Sequence, residues 1–394
     1  MESVEPFEMN LGSEFEFVRI VGMGAFGLVC EYVDRELNCR VAVKKVLKVD
    51  QSEEGRRILR EILCHTHLRH PNILRLLKVV CNQAGPGWEV YLVTELMDSD
   101  LHKLIKSNRS QLLNSHVQFI FYQLFCSLQF LESANIVHRD VKPSNIFINA
   151  DCSICLADFG MARALGIDSE LTTYIMNRSY RAPEVMLAPR SYSCKIDVWA
   201  AGCCLYEVLV GEPLFVGEDY LDILNNMFKT LGQPSSEDLS FVPREKTRDF
   251  VRQISEVPSR KPSEVLIATR GRGGGAVDPL ALDLLDRCLE INPAKRISAS
   301  LAVRHGFFAG EFKESDLRFF AGGPDFSLDA SSDAGIEGLA ALIGRDVPVK
   351  LRRTSPSGPK EYFLLEDSDG TSVITALPPG KSTHQTRAAR TAKN

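Results

Sequence analysis

The sequence predicts an α+β chain in two lobes, a small five-stranded β lobe with one helix followed by a large, mainly helical lobe. Three observations predict it. Residues 15–93 are dominated by short alternating segments rich in β-branched and aromatic side chains, the habit of strands. A single amphipathic stretch interrupts them. Beyond residue 98 the apolar spacing becomes that of helices.

The elements follow in order. "FEFVRIVG", "LVCEYVD" and "RVAVKKVL" alternate as strands, and "WEVYLVTEL" returns to strand further on. Between them "EEGRRILREILCHT" places Ile58, Leu59, Ile62 and Leu63 at helical spacing. In the second lobe "SHVQFIFYQLFCSLQFLESA" is long and periodic, with Asn114 or Ser115 suited to cap it. The apolar run "VWAAGCCLYEVLVG" (198–211) is shorter than the ~18 residues a membrane span needs and holds Glu207, so it reads as a buried helix. "TRGRGGGAV" (269–277) reads as a glycine-rich surface loop. From about Asp346 the composition changes. "RRTSPSGP" reads as unstructured, "EYFLLEDSDGTSVITAL" as a hairpin turning on Asp369-Gly370, and residues 378–394 as a solubilising tail.

The bulk numbers agree with an ordinary soluble protein. The chain has 394 residues, 44% hydrophobic and 25% charged, with a net charge of −5, so neither nucleic acid nor membrane is an expected partner. Its eleven cysteines are odd in number and scattered, and no secretory signal is expected in "MESVEPFEMN". Free buried thiols in a reducing compartment are the expectation. Cys152 and Cys155 form a CxxC with no second pair at zinc-finger spacing, and a strand would point them to opposite faces, so no metal is expected there.

Four signals carry chemistry. "VGMGAFGLV" holds Gly22, Gly24 and Gly27, a pattern that by itself suits either a dinucleotide fold or a plain hairpin. Here the glycines lie between two strands, which suits a hairpin folding over phosphates. "VAVK" then puts Lys44 on a strand and "LREI" puts Glu61 on the next helix; taken singly, either residue reads as half of a surface ion pair. "IVHRDVKPSNIFI" (136–148) supplies Asp140, Lys142 and Asn145, and "LADFGMAR" (156–163) supplies Asp158 in a strand-to-turn context.

In this order, on these elements, the four signals resemble a eukaryotic protein kinase over residues 15–309. Ala182-Pro183-Glu184, Asp197 and Arg296 agree with it. The resemblance implies ATP bound with Mg2+ in the cleft between the lobes. Val21, Gly22, Gly24, Gly27 and Val29 would cover the nucleotide. Lys44, held by Glu61, would grip its α- and β-phosphates. Thr94 would be the gatekeeper of the adenine pocket, and the backbone of Glu95 and Met97 would meet the base. Asn145 and Asp158 would hold the metal, Asp140 would take the substrate proton and Lys142 would steady the γ-phosphate.

"GEPLFVGEDYLDILNNMFKTLGQPSSEDL" (211–239) resembles the insert shared by mitogen-activated and cyclin-dependent protein kinases, while "LVTELMDSDLHKLI" (92–105), "LREILCHTHLRHPNIL" (59–74) and "GIEGLAALIG" (335–344) resemble the mitogen-activated branch more closely. That branch carries Thr-x-Tyr in its activation loop, here Thr172-Thr173-Tyr174 within "TTYIMNRSYRAPE". Each added phosphate brings about −1.5 to −2 charges, which cations must meet. By the resemblance Arg57, Arg139 and Arg163 receive phospho-Thr172, and Arg178 and Arg181 receive phospho-Tyr174. A cyclin-dependent relative is disfavoured by Tyr174 and by "GRRILREI" in place of a cyclin-binding helix.

The chain departs from the family at Met176, Asn177 and Ser179, where a small residue, a threonine and a tryptophan are usual. It departs again in "HGFFAGEFKESDLRFF", where Asp316 matches a docking acid but Lys313 stands at another, so weaker or different partner docking is expected. The implied layout is an N-terminal extension (1–14), small lobe (15–97), large lobe (98–309), an extension with a helix returning to the small lobe (310–345) and a partly disordered tail (346–394). The expected activity is transfer of the ATP γ-phosphate to Ser/Thr, chiefly Ser/Thr-Pro, of protein substrates. The alternative, resting on Asn177 and Ser179, is a pseudokinase-like scaffold. The expected partners are an upstream dual-specificity kinase and phosphatases, and the expected working unit is a cytoplasmic monomer whose basic end is compatible with nuclear import.

Overall fold

Alternation in the first hundred residues becomes an antiparallel sheet in the computed structural model, which describes residues 9, 11–24, 27–46, 53–84, 87–108, 112–165, 178–188, 192–254, 256–270, 276–320, 349–353, 360–366 and 372–376. Packing divides the chain into two units: Met1–Thr66 with Arg75–Leu96 and Asp329–Asn394, and His67–Leu74 with Met97–Leu328.

The first unit is built on β1 (Phe15–Gly24), β2 (Gly27–Asp34), β3 (Cys39–Val46), β4 (Leu76–Ala84) and β5 (Gly87–Glu95), with α1 (Glu53–His67) between β3 and β4. These are the five expected strands and the one expected helix. They lie in the order β1-β2-β3-β5-β4, every neighbour antiparallel. Val41, Val43, Val80, Tyr91 and Val93 form a core with Phe15 and Tyr32, and Met9 and Leu11 ahead of β1 are buried in the same cluster. Charge is buried here too. Lys78 on β4 bonds Asp34 Oδ2 and Glu36 Oε2, each at 2.8 Å, and lies 5.1 Å from the centre of the Phe15 ring. Burial works against this ammonium, but the two carboxylates outweigh it and raise its pKa. Asp34 Oδ1 also accepts the N–H groups of Glu36 and Leu37, so one carboxylate closes the β2–β3 turn and anchors β4.

The second unit begins with β6 (Ser99–Asp100), α2 (Leu101–Asn108), α3 (Asn114–Ser133) and β7 (Ile136–Val137), then β8 (Ile146–Ile148), β9 (Ile154–Leu156) and β10 (Arg163–Ala164). Strands β6, β8 and β9 make one small sheet; β7 and β10 make another. The remainder is helical: α4 (Pro183–Leu187), α5 (Lys195–Val210), α6 (Tyr220–Leu231), α7 (Glu245–Arg252), α8 (Pro262–Arg270), α9 (Pro279–Cys288) and α10 (Ala299–Ala302). Helix α3 starts differently from expectation. Asn114 is already helical, Leu113 holds the capping position, and the Leu113 N–H donates to Nδ1 of His116 at 3.2 Å. Helix α5 is apolar on all sides and buried from Ile196 to Leu209, as a helix without a polar face must be. It stops at Gly211, whose left-handed backbone (φ 101°) lets its N–H reach Glu207 O at 2.7 Å. Among the described residues no helix is long and apolar enough to cross a membrane. All eleven cysteines are free thiols, nine of them buried.

The tail returns to the first unit as β11 (Val349–Arg353), β12 (Lys360–Glu366) and β13 (Ser372–Ala376). β11 pairs parallel with β4, Val349 opposite Val79, and extends the sheet to β1-β2-β3-β5-β4-β11-β12-β13. β12 and β13 pair antiparallel, Glu366 opposite Ser372; the expected turn at Asp369-Gly370 itself lies outside the described residues. The two arginines of "RRTSPSGP" lie in β11, not in an unstructured run, because β4 offers an open edge of backbone donors and acceptors. The glycine-rich run 271–275 and the expected helix at 335–344 lie outside the described residues.

Candidate active site

In the first unit β1 and β2 bring Gly24 opposite Gly27 across the hairpin, with Val21 and Gly22 on one arm and Val29 on the other. Gly27 has φ +117°, and a Cβ there would lie 2.4 Å from the Lys45 carbonyl oxygen, so only glycine fits. The β2–β3 register sets Val29 beside Lys44. From β3 the Lys44 ammonium reaches both carboxylate oxygens of Glu61 on α1, each at 2.9 Å, with both side chains mostly shielded from water. A charge-assisted pair of this kind fixes an otherwise flexible lysine. Thr94 stands on β5 beside Ala42. Glu95 exchanges bonds with Arg75: its N–H donates to the Arg75 carbonyl at 3.2 Å, and its Oε1 accepts the Arg75 N–H at 2.8 Å. Arg57 lies on α1, half-buried.

In the second unit a short turn after β7 presents three residues together. Lys142 Nζ lies 2.5 Å from Asp140 Oδ2. Asn145, at the end of the 3-10 turn Pro143–Asn145, donates its amide to Asp140 O at 2.9 Å and to Asp140 Oδ2 at 3.0 Å. The turn is held from beneath. Asp197, in the first turn of α5, accepts the N–H of His138 on Oδ2 (2.7 Å) and of Arg139 on Oδ1 (2.9 Å). Burial pushes this carboxyl above its usual range, opposed by His138, Arg139 and those N–H bonds. His138 accepts the Asp140 N–H on Nδ1 (3.3 Å), so its Nε2 carries the proton and donates to Ala157 O at 3.0 Å. Its ring meets Phe159 edge-on at 4.7 Å. Asp158 stands just after β9 with a left-handed backbone (φ 64°). Met97 packs beside Leu74, Cys155 and Ala157.

Arg139 is left-handed as well (φ 70°) and only 5% exposed. Arg163 sits opposite Val137 in the β10–β7 pair, and Arg181 is buried. Arg178 contributes backbone to the 3-10 turn Arg178–Tyr180. Thr172, Tyr174, Met176 and Asn177 lie outside the described residues. Next to that turn, Glu184 and Arg296 form a fully buried pair at 2.5 and 2.9 Å, with the guanidinium 5.0 Å from the Trp199 ring. Two acids of the last stretch are engaged within the chain: Glu314 pairs with Arg304, and Asp316 accepts from the Tyr122 hydroxyl at 3.1 Å.

Sequence reasoning named the Lys44–Glu61 pair and the Asp140, Lys142 and Asn145 cluster that the fold brings together, but missed two supports. The His138 tautomer follows only from the path of the 136–158 backbone, and Tyr192, 5.9 Å from the Arg139 guanidinium, comes from a separate segment.

The protein kinase domain family matches residues 15–308. The chain is 40% identical over 291 residues to Mitogen-activated protein kinase 3 of Arabidopsis thaliana, covering 73% of this chain and 76% of that protein. It is 41% identical over 294 residues to Mitogen-activated protein kinase spm1 of Cytospora mali (73% and 68%). It is 36% identical over 312 residues to Extracellular signal-regulated kinase 1 of Candida albicans (76% and 74%). The scaffold alternative finds no support in these relatives. The chain belongs to the mitogen-activated protein kinase family and is a serine/threonine protein kinase.

Proposed function

We propose that the protein phosphorylates serine or threonine followed by proline, and that phosphorylation of Thr172 and Tyr174 switches it on. The observation that carries the catalytic part is the cluster at Asp140. Lys142 and Asn145 both engage Oδ2, while Oδ1 has no hydrogen-bond partner among the described residues. Oδ1 is thus the atom available to take the proton of a substrate hydroxyl as its oxygen attacks the γ-phosphorus and ADP leaves. Lys142 steadies the transferred phosphoryl group. Lys44, oriented by Glu61, holds the α- and β-phosphates under the backbone of Gly22, Gly24 and Gly27, with Val21 and Val29 alongside. Thr94, the Glu95 backbone and Met97 receive the adenine.

The residues fit magnesium. Asn145 commits its amide nitrogen to Asp140, which leaves its amide oxygen to coordinate, and Asp158 adds a carboxylate. Two hard oxygen donors alongside phosphates and water are what this ion takes. Bound magnesium neutralises phosphate charge.

Arg57, Arg139 and Arg163 receive phospho-Thr172, and Arg178 and Arg181 receive phospho-Tyr174. Bonds to charged groups contribute about 1.5–3 kcal/mol each, enough in sum to order a loop. A dual-specificity kinase adds these phosphates and phosphatases remove them; the chain works as a monomer in the cytoplasm, with access to the nucleus. Docking of basic partner segments is weak, because Arg304 and Tyr122 already engage Glu314 and Asp316. Comparing the doubly phosphorylated protein with its Thr172→Ala and Tyr174→Phe variants tests the switch. Each variant is expected to lose at least tenfold in kcat/KM. Full activity in both would overturn it.

A further inference from the structure

Three segments converge beside the catalytic turn. The β7–β10 pair sets Val137 opposite Arg163, two residues before Arg139. Asp197 at the start of α5 fixes the Arg139 N–H. Immediately ahead of α5, the Cys194 thiol donates to the Ile136 carbonyl at 3.5 Å, which ties the 192–194 segment to β7. The convergence brings the half-buried Tyr192 ring within 5.9 Å of the Arg139 guanidinium. Among the described residues Arg139 has no carboxylate paired to its guanidinium, although it is only 5% exposed. Arg163 lies within electrostatic reach of the same ring: both arginines favour ionisation of the Tyr192 hydroxyl, against the larger opposing effect of its burial and a smaller one of Asp197.

Arg139 is buried, Asp197 is bonded to its backbone N–H rather than to its guanidinium, and a long side chain so placed needs something to hold its plane. An aromatic face does so without consuming the charge, which a carboxylate would neutralise. We propose that Tyr192 is a positioning residue of the phosphothreonine site, its ring holding Arg139 ready beside Arg163 so that an incoming phosphate meets an arranged pair of cations. This rests on the reading that those arginines receive phospho-Thr172. It assigns to Tyr192 a part in the switch that the kinase motifs do not include.

The test uses the full chain phosphorylated at Thr172 and Tyr174, beside the same chain phosphorylated at Tyr174 alone. The ratio of the two activities measures what the Thr172 phosphate contributes. Tyr192→Leu is expected to lower that ratio about tenfold, within the roughly two- to thirty-fold that a cation–π contact is worth. It is also expected to speed removal of the Thr172 phosphate by an added phosphatase, which a merely structural change would leave alone. Tyr192→Phe, which keeps the ring, is expected to match the wild type in both. Should the leucine variant not fold, phenylalanine and pentafluorophenylalanine at this position make the same comparison, since they share a shape and differ in the sign of the ring's face. If the Thr172 phosphate gives the wild type no stimulation, the phosphothreonine reading itself fails. Where the wild type is stimulated, a leucine variant equal to it, or a phenylalanine variant as poor as leucine, overturns the role of the ring alone.

Discussion

The ring of His70 is buried against Phe130, centroids 5.2 Å apart, and its Nδ1 accepts the Asn72 N–H at 3.1 Å. Burial, with a smaller effect of Arg318, lowers its pKa from 6.5 to about 4. The folded chain therefore holds His70 neutral, while the unfolded chain protonates it below about 6.5. Its contribution is complete above the unfolded pKa and is lost as pH falls from about 6.5 through about 4, a loss of about 3 kcal/mol. The difference in unfolding free energy between wild type and His70→Gln, followed in urea, should shrink by about that much between pH 7 and pH 4. A difference independent of pH would contradict it. Nothing in "LRHPNIL" distinguishes this histidine from an exposed one, because its neighbour Phe130 is sixty residues away in the chain. Lys44, Glu61, Asp140, Asn145 and Asp158 were legible for the opposite reason. Phosphoryl transfer demands particular functional groups on particular elements, and short motifs carry both. Tyr192 lies in no such motif, so its place beside Arg139 emerges only from packing.

Among the elements, α4 and α5 show how a buried charge pins chain segments. Arg296 reaches Glu184 in the first turn of α4, the Glu290 carbonyl, and the Lys195 carbonyl at the start of α5. Its guanidinium also lies over Trp199, which stacks on Phe215. Removing one partner leaves an uncompensated charge in a dry site. Arg296→Met should therefore cost about 3–5 kcal/mol, and pairing it with Glu184→Leu should recover part of that loss. Urea midpoints of the single and double variants check both statements; a loss under about 1 kcal/mol for the single variant would contradict them. The helical character of α3 and α5 was readable from apolar spacing and length. The start of α3 was not, because the helix begins one residue early, at Asn114, and is tied at its start by His116 Nδ1 accepting the Leu113 N–H rather than by an Asn114 or Ser115 cap.

For the whole molecule, the five strands of the first unit were legible because each is long, alternating and bounded by turns. The eight-stranded sheet was not. A hairpin over β12 and β13 could be read from Asp369-Gly370, but the parallel register of β11 on β4 joins residues some 270 positions apart, and nothing local encodes that choice. We propose that the Asp140 turn transfers phosphate to proline-directed sites despite Met176, Asn177 and Ser179. The most direct measurement is phosphate transfer from Mg-ATP by the doubly phosphorylated protein to paired Ser-Pro and Ser-Ala peptides, with Asp140→Ala as control. Turnover within a broad ~1–100 per second range is expected on the Ser-Pro peptide. Little is expected on Ser-Ala, with a fall of about 10²–10⁴ in the control. ATP binding without transfer to either peptide would contradict the proposed activity.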